Sequence, residues 1–192
     1  MKILGDILAT IICENLLLIY GLGIKRLFVE SEKQIKPQKM IFVLFLSSSL
    51  TFVFFCLFKF ILGDFITNYA LMPVILFVCE LLSLTLQIVV LTNFNFVGKI
   101  KITMLSILFD PLLMGVNLIC IYREYTIFQG IWFIFCAYVG YILATYLVGL
   151  QAGNLNENQA IPKAFRGKPL LLIYIGILSM ACYGMLGQQI FN

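Results

Sequence analysis

Leu108–Asn117 reads LFDPLLMGVN. It sets an acid, a proline, a glycine and an amide inside an otherwise apolar run. Proline lacks an N–H and disfavours helix in the residue before it. Asp110-Pro111 is therefore expected to end one half-helix and begin another, with Pro111 in the first turn and Asp110 as its N-cap. Gly115 adds a point of close backbone approach. Backbone broken at membrane depth survives only where protein buries it or where it lines a water-filled cavity. The reading of this stretch decides whether the chain is a plain helix bundle or one built around interrupted helices.

The surrounding composition places that break in a membrane. Of 192 residues, 62% are hydrophobic and 11% charged, and the mean hydropathy is +1.05. A soluble domain of this size has too little interior for that much apolar surface. A spanning helix needs about 20 mostly apolar residues. Six such segments are expected, at Ile3–Ile24, Met40–Leu62, Tyr69–Leu91, Ile102–Tyr122, Ile127–Leu150 and Leu170–Phe191. The runs are continuous and do not alternate, which points away from a transmembrane β-barrel. Lys2 is the only early basic residue and Glu14 interrupts the apolar run, so the first segment is read as a span and not as a signal peptide.

Charge placement gives the expected topology. Ten of the thirteen basic residues (Lys25, Arg26, Lys33, Lys36, Lys39, Lys99, Lys101, Lys163, Arg166 and Lys168) fall in alternate loops, which share one side. By the positive-inside rule both termini face outward from a multi-pass protein of the cell membrane. The basic excess is thus a topology signal, and nucleic acid is excluded as a partner. The six cysteines form no C-x-x-C pair, and the chain has no histidine, so zinc-type ligand sets are poorly supported.

Six spans divide into two sets of three with opposite orientation. A matching break is expected in each half. The first span holds ENLLLIYGLG, Glu14 to Gly23, and the fourth holds DPLLMGVNLI, Asp110 to Ile119. Each starts with an acid and passes through Leu-Leu to a glycine. The expected fold is an all-α integral membrane protein of six transmembrane helices. It forms one domain over 1–192, with inverted three-helix repeats at about 1–95 and 96–192 and broken first and fourth helices. Gly21, Gly23, Pro111 and Gly115 mark the breaks.

Glu14, Glu80 and Asp110 fall near the middle of expected spans, where each charge costs at least about 2.5 kcal/mol by insertion scales. With Asn15 and Asn117 they form a candidate ion or proton pathway. Gln87, Ser83 and Thr85 share the span of Glu80. A structural reading stands beside it, with Glu14 and Asp110 capping half-helices and Glu80 a protonated carboxyl bonded to a neighbouring helix.

Two stretches, CENLLLIYGLG and IPKAFRGKPLLLIYIGILSMACYGMLG, resemble the Rnf A subunit and Nqr E subunit of a membrane-protein family. The positions that carry the resemblance are Pro162, Phe165, Arg166, Gly167, Gly176, Gly184 and Gly187. The resemblance implies a membrane subunit of an ion-pumping electron-transfer complex, moving Na⁺ or H⁺ and paired with a homologous subunit of inverted topology. It also implies a shared [2Fe–2S] cluster held by one cysteine per broken helix. Here Lys25 and Pro111 stand where those cysteines belong, and neither supplies a thiolate. This chain is accordingly expected to bind no cofactor by itself. The alternative is a cation or small-solute transporter on the same scaffold.

Overall fold

The computed structural model describes residues 11, 15–24, 37–63, 71–93, 110–157, 162, 165 and 167–190. Regular structure among them is wholly α-helical: α1 (Pro37–Leu62), α2 (Met72–Asn93), α3 (Pro111–Tyr122), α4 (Ile127–Glu157) and α5 (Lys168–Ile190). Three of these are long and apolar enough to cross a membrane, through Ile41–Ile61, Met72–Val89 and Ile127–Gln151. At 1.5 Å per residue, the 26 residues of α1 reach about 39 Å, more than the roughly 30 Å of hydrocarbon. The helix α4 runs on to Glu157, past the end expected at Leu150. No proline intervenes before Pro162, so the polar residues after Gln151 continue the helix.

The short helix α3 shows how local chemistry sets boundaries. Asp110 has extended backbone, and its carboxylate accepts from the Leu112 amide at 3.0 Å. Pro111 takes the first helical position, where a missing N–H costs nothing. The residues before Asp110 in the expected fourth span lie outside those described. Gly115 lies inside α3 and not at an interruption. One glycine in a helix costs only about 1 kcal/mol, and the buried Leu112, Leu113 and Val116 around it hold the turn. At its other end α3 closes through Tyr125 N–H to the Cys120 carbonyl, with Glu124 in the left-handed region at φ 53°. The next helix opens on Thr126, whose amide and hydroxyl both donate to the Gln129 side chain, as in half of a capping box.

The chain divides into two compact units, Gln38–Phe135 and Met1–Pro37 with Cys136–Asn192. In the first, Phe52 presses its ring against Gly130 of α4, leaving no room there for a β-carbon. Leu44, Phe55, Leu76, Leu84 and Leu113 complete the apolar packing.

The second unit holds the described residues of the expected first span, Ile11 and residues 15–24. Asn15–Gly23 is not helical; it is a succession of turns. Gly21 and Gly23 have φ of 65° and 83°, which an L side chain rarely adopts. The backbone is nonetheless buried through Leu16, Leu17 and Leu18, so its polar groups need partners. Asn15 supplies several, donating to the carbonyls of Gly140 (2.7 Å) and Ile11 (3.2 Å) and accepting from the amides of Leu17 (3.0 Å) and Leu18 (3.3 Å). The Ser179 hydroxyl donates to the Leu18 carbonyl, and the Tyr141 hydroxyl to that of Gly23 at 3.3 Å.

Candidate functional site

Three helices of the Gln38–Phe135 unit each carry one polar stripe. On α1 it is Ser47, Ser48 and Thr51; on α2 it is Glu80, Ser83 and Gln87; on α3 it is Asn117, with Asp110 at the cap. Spacings of three, four and seven residues keep each stripe on one helix face. All eight side chains are buried, Glu80 completely and Gln87 to 4% exposure.

Bonds tie the stripes together. The Thr51 and Ser83 hydroxyls lie 2.8 Å apart, linking α1 to α2. Ser48 donates to the Asn117 side-chain oxygen at 3.4 Å, linking α1 to α3, and Asn117 donates to the Leu113 carbonyl at 3.1 Å. Asp110 lies near enough to Glu80 for their charges to interact. Against this background three groups stand out. Both oxygens of Glu80, both polar atoms of Gln87 and the Ser47 hydroxyl have no hydrogen-bond partner among the described residues. An unpartnered buried carboxyl is costly, and in a membrane helix such a group usually marks a path or a binding site.

The remaining sequence candidates fall elsewhere. Asn15, Gly21 and Gly23 belong to the other unit, where Asn15 has the bonding role given above. Glu14 and Lys25 lie outside the described residues. Pro111 occupies the start of α3. Thr85 is exposed and bonds back to the Leu82 carbonyl, so it does not join the stripe of Glu80. Ser47, Ser48 and Thr51 were not singled out as site residues. The run SSSLT at 47–51, inside an aromatic-rich span, was the signal that pointed to them.

Cys56, Cys79, Cys120, Cys136 and Cys182 are thiols, not disulfides, and Cys13 lies outside the described residues. Among the described residues no three histidine, cysteine or acidic side chains converge as a metal-ligand set. No protein-family profile matches the chain, and no curated protein matches its sequence.

Proposed function

We propose that the chain is a membrane subunit of an ion-translocating electron-transport complex, Rnf/Nqr-like in architecture. It has six spans in two inverted repeats with broken first and fourth helices, and both termini on the outer face of the cell membrane. It assembles with a homologous subunit of inverted topology and supplies part of the ion path, while Lys25 and Pro111 leave it without cluster ligands of its own. The observation that carries the ion-moving part is Glu80, wholly buried with both carboxyl oxygens unpartnered. The resemblance of residues 161–187 supports the electron-transport setting.

A second reading, a self-contained cation transporter, is favoured by one feature. Among the described residues, the buried polar side chains of α1, α2 and α3 share one compact unit with Glu80. Affinity purification from native membranes separates the two. Co-purifying flavin- and iron-containing subunits are the expected result. A colourless protein that purifies alone and moves ions in vesicles would replace the first reading with the second.

A further inference from the structure

The three stripes are in register. Thr51 lies eleven residues before the end of α1, and Ser83 eleven residues after the start of α2. On the proposed topology consecutive spans run antiparallel, and the Thr51–Ser83 bond then sets the Leu62 and Met72 ends level. In an antiparallel pair, stepping four residues back on α1 and four forward on α2 reaches one common level. Ser47 and Gln87, both unpartnered, thus share a level about 6 Å from the Thr51–Ser83 rung. The Ser48–Asn117 bond lies beside them. Glu80 sits about 4.5 Å beyond the rung on the other side, three residues back along α2, within electrostatic range of Asp110. Asp110 and Asn117 are seven residues apart on one face of α3, about 10.5 Å, and so span the same two levels. The result is a polar column through the unit: Asp110 and Glu80, then Thr51 and Ser83, then Ser47, Ser48, Gln87 and Asn117.

The rung has a second property. Thr51 can donate to the Ser47 carbonyl (2.8 Å) or to Ser83; Ser83 can donate to the Glu80 carbonyl (2.9 Å) or to Thr51. Each hydroxyl has one proton. Two arrangements of the pair therefore exist with equal numbers of hydrogen bonds, one reversing the other. Glu80 on one side of the rung and Ser47 and Gln87 on the other carry bonding capacity that no described protein atom uses, and buried groups of that kind take water.

We infer that this column is a proton path through the Gln38–Phe135 unit, with Glu80 as its carboxyl and the Thr51–Ser83 pair as its reversible link; the inference rests on the ion-translocating reading. A proton leaving Glu80 for a neighbouring water is passed to one hydroxyl. That hydroxyl keeps it and releases its own to the other, which releases its own to a water beside Ser47 and Gln87, while the Glu80 carboxylate takes a proton from water on its far side. One proton has then crossed, the Thr51 bond to the Ser47 carbonyl has been exchanged for the Ser83 bond to the Glu80 carbonyl, and the rung stands in its reversed arrangement until it turns back. A dehydrated metal cation needs several oxygens around one point, whereas these are strung along the axis, and two of the hydroxyls are engaged with each other. Among the described residues the other ionisable groups near Glu80 are Asp110 from α3 and Cys79 on its own helix, and Cys56 from α1 lies near Cys79.

The test uses the protein purified from native membranes together with whatever subunits co-purify, reconstituted in liposomes under an imposed membrane potential, with a trapped pH dye and radiolabelled sodium as parallel readouts. The expected result is proton flux that falls by at least about tenfold in Glu80→Gln, Thr51→Val and Ser83→Ala, and is unchanged in Thr85→Val. Thermal melting of each variant in detergent checks that it is folded. Proton flux in folded Thr51→Val equal to wild type overturns the column. Glu80-dependent sodium flux without proton flux overturns the proton assignment and leaves ion translocation standing. Neither flux overturns both.

Discussion

Glu80→Leu is expected to stabilise the protein and silence it. The carboxyl is completely buried, and neither oxygen has a hydrogen-bond partner among the described residues. Leaving a buried polar group unpaired costs about 1–3 kcal/mol in mutational data. Leucine has a similar reach, and the buried Leu76 and Leu84 lie four residues to either side of it on the same helix face, so most of that cost should be recovered. For a chain of this length 1 kcal/mol corresponds to about 2–4 °C in melting temperature. The expected shift is therefore upward by roughly 2–10 °C. Differential scanning fluorimetry in a mild detergent reads it directly, and the liposome assay above reads the loss of flux. A melting temperature that falls, or flux that survives, would refute the reasoning. The first outcome would mean that Glu80 has stabilising partners, the second that its charge is not used.

Other expected outcomes concern the frame that holds the site. Asn15→Ala removes the acceptor for two buried amides and the donor to Gly140, and should cost about 2–4 kcal/mol in chemical unfolding. Gly23→Ala must accept a left-handed backbone and displace the Tyr141 ring, which a β-carbon would approach to 2.7 Å; a loss of about 2 kcal/mol or more is expected from thermal melts. Asp110→Ala should cost about 1 kcal/mol through loss of the cap on α3, while Asp110→Asn should stay within a few tenths; equal losses in the two would refute the capping role. Glu124→Gly relieves a positive φ at an exposed turn and should stabilise by about 1 kcal/mol.

Much of the helix layout could be read in advance because membrane helices announce themselves by length and composition. The segments expected at Met40–Leu62, Tyr69–Leu91 and Leu170–Phe191 each lie within about three residues of the helices observed. Asp110-Pro111 was legible for a different reason: the cap and the proline act within one turn and need no tertiary context. Sequence alone does not say which face of a long helix looks inward. Ser83 and Thr85 sit two positions apart, about 200° around the helix, so burying one exposes the other, and both read alike beside Glu80. The hydroxyls of SSSLT carry no comparable signal, because a serine in an apolar helix can satisfy itself locally. Gly115 was ambiguous for a similar reason, since a glycine can break a helix or merely sit in one.

That local self-sufficiency has a consequence for how the chain enters a bilayer. Ser49, Thr51, Ser83, Thr85 and Thr145 can each direct a hydroxyl to a carbonyl three or four residues back on their own helix. During insertion, before any neighbour has docked, these side chains can be cloaked within the single helix and present little polarity to lipid. Among the described residues the burden of leaving water then falls on Gln87 and, most heavily, on the carboxyl of Glu80, which have no such retreat. Biogenesis of this protein should accordingly be sensitive to whatever keeps the Glu80 side chain neutral until α1 and α3 close around it.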